Sequence, residues 1–184
     1  MKRRAPFIFL LIALFPVPAH AHPETGLLPD AIAEMEYQIV LDITPGDIKT
    51  RNKLGMVLCR KNKLKEAAGA FGEVLRASPN DFDAHNGMGL VRLKEKKPAE
   101  ALIWLKKAAA INGEDTQVYG DLGAAYEQTG NLAQAESSYR KGLEVNASLI
   151  RRGANKETEN AKRTALQAAL RNVQAKMKMA KETK

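Results

Sequence analysis

Few residues in this sequence have the chemistry of a reaction centre. Histidine occurs only at His20, His22 and His85, and Cys59 is the lone cysteine. A nucleophile needs an activating base beside it, and a metal needs three or four ligands, so such residues are informative only in sets. No set with a working spacing is present. There is no Gly-rich phosphate loop, no nucleophile elbow, no His-Glu-x-x-His and no Cys-x-x-Cys. Cys59 has no intrachain disulfide partner and reads as a small buried hydrophobe. His85 takes a bulky position on a predicted helix and reads as a packed or partly exposed ring, not a ligand. His22 would be the amino terminus if a leader were removed after Ala21. A terminal histidine holds copper through its amine and imidazole, but the further ligands are not apparent. Asn146-Ala147-Ser148 matches a glycosylation sequon, which matters only in a eukaryotic secretory route. The expectation is a chain with no catalytic residue, no metal site and no cofactor.

Position along the chain comes before chemistry. The start Met1-Lys2-Arg3-Arg4 is followed by an apolar run from Phe7 to Val17 and by Ala19-His20-Ala21. A positive start, a short apolar centre and an Ala-x-Ala site describe a secretory signal peptide over 1–21. The run is too short for a bilayer, which needs about 20 apolar residues. An uncleaved membrane anchor is the other reading of the same stretch. No cysteine adjoins the cleavage site, so an acylated lipoprotein is not expected. The expectation is an exported, soluble chain, placed by this reading in a bacterial periplasm.

Charge is distributed unevenly. The net value is +8, yet residues 22–149 carry 16 basic residues against 18 acidic ones. Residues 150–184 carry 10 against 3. The body is nearly neutral and the basic character belongs to the C-terminal segment. No nucleic-acid partner is expected, since no recognition fold accompanies that charge.

The elements that organise the chain show at a fixed period. In residues 116–149, Tyr119, Leu122, Gly123 and Tyr126 share one helical face, and Gly130-Asn131 supplies a turn. Leu132, Ala135, Tyr139, Gly142 and Leu143 then repeat the spacing on a second helix. Small residues meet large ones across the seam. Stepping back by 34 residues takes Leu122-Gly123 to Met88-Gly89 and to Leu54-Gly55. Ala135 maps onto Ala101, Ala67 and Ala33, and Tyr139 onto Leu105, Phe71 and Tyr37. Pro45 and Pro79 keep the same step, each closing a helix.

This period and pattern, from Pro29 to Leu149, resemble the tetratricopeptide repeat (TPR). The resemblance implies an all-α, right-handed α-solenoid of about three helix-turn-helix hairpins, at 48–81, 82–115 and 116–149. A half-repeat helix over 29–47 precedes them within a domain spanning 22–149, led in by a flexible stretch over 22–28. Asp30 is expected to cap that first helix, with Ala33, Tyr37, Val40 and Leu41 as its packing face. Gly69 and Gly72, inside the second helix of the first hairpin, are expected to mark close packing against a neighbour, with a hinge as the alternative. Trp104 packs between hairpins or marks a contact surface. After Leu149 the period fails. Residues 150–157 are expected to form a loop and 158–179 a basic amphipathic helix, its stripe formed by Leu166, Leu170, Val173, Met177 and Ala180. That helix caps the stack, docks a partner, or lies on an anionic membrane surface.

In the family the first helix of each hairpin lines a concave groove. Carried over by position, the groove residues are Lys49, Asn52, Met56 and Arg60, then Asp83, Asn86, Leu90, Leu93 and Lys94, then Gln117, Ala124, Glu127 and Gln128. The mixture suits an extended peptide whose backbone the asparagines can engage. Met56, Leu90 and Ala124 stand where the family's carboxylate clamp needs polar groups, so a chaperone-tail specificity is not expected. The expected function is a non-catalytic interaction scaffold of the cell envelope, assisting assembly of a pilus, secretion or envelope complex. An adaptor acting at a membrane or envelope surface through the C-terminal helix is the alternative. Oligomeric state is not legible.

Overall fold

The computed structural model describes residues 29–182. The expected leader and the 22–28 lead-in lie outside them. Among the described residues there are eight helices and no strand: α1 (Asp30–Ile43), α2 (Ile48–Arg60), α3 (Leu64–Ala77), α4 (Phe82–Lys94), α5 (Pro98–Ile111), α6 (Thr116–Gln128), α7 (Leu132–Arg151) and α8 (Lys156–Glu182).

Each hairpin starts and stops on local chemistry that repeats with the period. Asp47, Asp81 and Asp115 accept the backbone N–H of Thr50 (3.1 Å), Ala84 (2.8 Å) and Val118 (2.9 Å), capping α2, α4 and α6. At the inner turns, Asn62, Lys96 and Gly130 adopt left-handed backbone, with φ of 61°, 62° and 77°. The amide after each bonds a carbonyl five residues back, as Lys63 does to Leu58 at 2.8 Å. Gly130 has no Cβ and asparagine tolerates this region, so Lys96 makes the most strained of the three turns. Asp30 does not cap α1: Pro29 holds that position without a side-chain bond. The Asp30 carboxylate instead receives Arg60 Nη2 at 2.7 Å and Nε at 2.9 Å.

Consecutive helices pack throughout. In addition α2 touches α4, α4 touches α6 and α6 touches α8, whereas α1, α3, α5 and α7 do not touch one another. The first helices therefore crowd along the inside of the curve and the second helices splay along its outside. This is a right-handed α-solenoid. Phe71, fully buried, sits between Gly55 of its own hairpin and Gly87 of the next. Leu105 lies on Gly89 and Tyr139 on Gly123 in the same way. A Cβ at any of these four glycines would come within 3.0 Å of the facing side chain. Trp104 is half-buried, packs against the apolar cluster of the first hairpin and lies 5.5 Å from the His85 ring. Cys59 is fully buried, and burial pushes its thiol pKa up.

Two expectations about helices are corrected. Gly69 and Gly72 do not mark close packing among the described residues, because a Cβ at either meets nothing there within 4 Å. The loop expected over 150–157 is shorter and covers only 152–155. The two proline-stopped helices end at Ile43 and Ala77; α7 has no such stop and runs to Arg151. It ends where Gly153 takes φ 90°, and Ala154 N–H bonds the Leu149 carbonyl at 3.0 Å. Asn155 then caps α8 by accepting Thr158 N–H at 2.9 Å.

Helix α8 takes the place a further first helix would occupy, against α7 and α6. Leu166 and Val173 are buried there, with Leu170 and Met177 packed beside them. A buried polar cluster fixes its start. Asn146 Nδ2 donates to the Glu159 carbonyl (2.7 Å) and carboxylate (2.8 Å), and Thr116 Oγ1 donates to the same carboxylate at 3.0 Å. Lys162 Nζ closes it at 2.8 Å. Asn146 is fully buried, so a glycan on the sequon would exclude α8 from its seat.

Candidate functional site

Two concavities lie on the inner face among the described residues. The larger, about 490 Å3, lies over α1, α2 and α4. Tyr37, Asn52, Met56, Asp83 and Asn86 line it, with Lys49, Lys53 and Arg60 among its walls. Asn52 is only 5% exposed. Its Nδ2 donates to Asp81 Oδ1 at 2.9 Å, which fixes the amide, while its Oδ1 has no partner. Asn86 Oδ1 is likewise buried and unpaired. A buried carbonyl oxygen without a donor costs roughly 1–3 kcal/mol, which a ligand N–H would recover. Burial and the neighbouring Asp81 and Asp115 raise the Asp83 pKa.

The smaller concavity, about 210 Å3, lies between α6 and α8, where Gln117, Asp121, Ala124, Lys162 and Ala169 are among its walls. Asp121 is half-buried, and burial pushes its pKa up to about 6; the Gln117 amide, donating at 3.0 Å, pulls the other way and Asp115 adds to the rise. Such a carboxylate favours the folded state below its unfolded value of 3.8, and that contribution is lost as the pH rises through about 6. Asp121→Asn should therefore stabilise the fold at pH 7.5 by on the order of 1–2 kcal/mol, discounted for its partial contact with solvent. Denaturant melts at pH 4 and pH 7.5 check this: the gain should nearly vanish at the lower pH.

The residues carried over by position do not all share one surface. Lys49, Asn52, Met56, Arg60, Asp83 and Asn86 come together in the larger concavity. Gln117 and Ala124 meet in the smaller one. Leu90 is half-buried against the core, Lys94 and Gln128 are exposed, and Leu93 is not on the groove. Leu93 is buried with Ala101 and Leu105, because its register matches Cys59 on the inner side of the hairpin. Glu127 is taken by the chain itself: it accepts the Tyr139 hydroxyl (3.2 Å), Asn172 (3.3 Å) and Lys176 (2.5 Å). Tyr37, Lys53 and Asp121 are lining residues that the positional argument missed. The last two share one register position with Gly87, so an acid at 121 was the available signal.

Repeat models described as tetratricopeptide repeat match residues 52–116 and 116–149, together more than half of the chain. The chain belongs to the tetratricopeptide repeat family. No curated protein matches it in sequence. Among solved structures, this TPR chain is similar to the Yersinia enterocolitica type III secretion translocator chaperone SycD. The TM-score is 0.62 at 18% identity, over 71% of this chain and 93% of that one. It is similar to PcrH, known from Pseudomonas aeruginosa, in the complex with the chaperone binding region of PopD. There the TM-score is 0.60 at 18% identity, over 83% and 97% of the two chains. It also resembles MamA, with a TM-score of 0.57 at 18% identity, over 83% and 91%. At these identities the likeness is one of fold.

Proposed function

We propose that this TPR protein is a non-catalytic, exported interaction scaffold that holds an extended segment of a partner protein in its concave groove. The single observation that carries the reading is the pair of buried, unpartnered amide oxygens, Asn52 Oδ1 and Asn86 Oδ1, in the larger concavity. They are spaced by one repeat, so an extended backbone lying across α2 and α4 would meet both with N–H groups. Met56 offers apolar contact between them, and Asp83 favours a basic side chain nearby. That PcrH, of similar fold, is seen with a segment of PopD supports the reading. Assembly of a secretion, pilus or other envelope complex is the role that fits an exported chain of this kind.

The C-terminal helix enters this reading as a cap. Its apolar stripe is spent on α7, and Lys162 and Lys176 are paired with Glu159 and Glu127.

Partner capture from envelope extract, with crosslinking and mass spectrometry, supplies the ligand; titration of the captured protein then tests the site. Asn86→Ala should weaken binding by roughly 5- to 30-fold, the worth of one or two kcal/mol. Lys94→Ala, on α4 but outside the lining of the larger concavity, should weaken it less. Both should leave the melting temperature within a degree or two. Binding indifferent to both changes would remove the groove from the function.

A further inference from the structure

The exposed apolar residues are not scattered. Seven large apolar side chains are exposed among the described residues, and six lie on the outer faces of two helices: Ile32, Met35, Ile39 and Ile43 on α1, and Ile103 and Ile111 on α5. On α1 they recur at helical spacing as one stripe, opposite the face that carries Leu41 into the core. Ile43 is 78% exposed. The same register positions on α3 are Glu66, Gly69, Glu73 and Ala77, and on α7 they are Gln134, Ser137, Lys141 and Val145. An outer face needs polar residues there, as α7 has at Gln134, Ser137 and Lys141; α1 carries isoleucine and methionine instead. A patch of this kind marks a contact surface.

Between α1 and α5 lies α3, whose outer face contains Gly69 and Gly72. Each glycine costs its helix about 1 kcal/mol relative to alanine. Nothing among the described residues comes within 4 Å of the Cβ positions, so packing among them does not explain the glycines. Their flat backbone suits another helix laid directly on α3.

Charge selects the occupant. Helix α1 holds four acidic residues and no basic one. Asp30 and Glu34 are paired inward with Arg60, Lys61 and Lys63. Glu36 and Asp42 flank the apolar stripe and are exposed. The outer face of α5 presents Lys106 and Lys107, which lie over the Tyr126 and Trp104 rings without a carboxylate, while Glu100 is engaged by Arg92 at 3.2 Å. Helix α3 is balanced. Rotation by half a turn about an axis through Gly69 and Gly72 brings the acidic α1 of one copy onto the basic α5 of another, twice over. An isologous contact requires that self-complementarity.

We propose that the outer face of α1, α3 and α5 is a homodimer interface, with α3 packed parallel to α3 of a second copy along the two-fold axis. The contact sets Glu36 against Lys107 of the second copy and buries the six apolar residues. It leaves the concave groove open on both protomers.

Sedimentation equilibrium of the full chain from about 1 to 100 µM tests this. Wild type should pass from monomer to dimer in that range. Ile39→Glu and Gly69→Gln should each shift the midpoint at least tenfold toward monomer. Gly69→Gln should do so without lowering the melting temperature, because its new side chain meets open space. Glu36→Lys and Lys107→Glu should each weaken the dimer, and the two together should restore it. A chain that stays monomeric to 100 µM overturns the proposal, as does a dimer indifferent to Ile39→Glu. So do charge variants that fail to restore each other, or crosslinks placing residues 1–28 of the same chain over Ile39.

Discussion

Gly123→Leu should lower the melting temperature by about 2–12 °C, the equivalent of roughly 1–3 kcal/mol in a chain of this size. The seam between α6 and α7 leaves no room at this position: even a methyl group would overlap the Tyr139 ring. Tyr139 is 3% exposed and donates its hydroxyl to Glu127, so the ring cannot swing away without losing that bond. Ordinary helix propensity argues the other way, since any side chain is favoured over glycine by up to about 1 kcal/mol. Overpacking outweighs propensity here. Gly72→Ala separates the two effects, because the Cβ there meets nothing within 4 Å. That variant should hold or raise the melting temperature, by up to about 1 kcal/mol of stability. Combining Gly123→Leu with Tyr139→Ala should cost less than the sum of the two, with a coupling of about 0.5–3 kcal/mol. An unchanged melting temperature for Gly123→Leu would show that the seam is not where these contacts put it.

Glu159→Ala should release α8 while the preceding hairpins stay folded. The change strands the buried Thr116 hydroxyl and leaves the Asn146 amide only its bond to the main-chain carbonyl of residue 159, at about 1–3 kcal/mol. Helix α8 touches only α7 and α6, so the loss falls on one interface of a linear stack. Hydrogen exchange should therefore rise along α8 and change little in α2–α5. Burial alone would raise the pKa of Glu159, but Lys162, Thr116 and Asn146 outweigh it and hold it below the ordinary 4.5. Its contribution is then fully present above about pH 4.5 and is lost as the pH falls through the lower folded value. Wild-type α8 should loosen first under mild acid, and Glu159→Ala should have no comparable acid step. Unchanged α8 protection in the variant at neutral pH would show that the apolar stripe alone seats the helix.

The groove illustrates the limit of register arithmetic. Carried over by position, Leu93 and Glu127 stand beside Lys94 and Gln128 on the inner surface. Leu93 shares its register with the buried Cys59 and joins the core. Glu127 escapes the core by being charged, only to be captured by Asn172 and Lys176 from a helix whose seat no periodicity announces. Asp30 failed as a cap for a related reason. Pro29 adopts the cap position, and Arg60, 30 residues onward in sequence, claims the carboxylate.

What the residues determined unaided was periodic: helix pairs, their turns, the pairing of glycines 55, 89 and 123 with the large side chains 71, 105 and 139. Those features depend on spacing along one chain, and spacing is written in the sequence. What only the tertiary structure decided was which side chains still have unmet needs. Asn52 and Asn86 are notable for an oxygen left without a donor, Asp121 for lost water, and Gly69 for empty space beside it. Each of these is set by atoms distant in sequence, because solvation and vacancy belong to the packed assembly and not to the order of its residues.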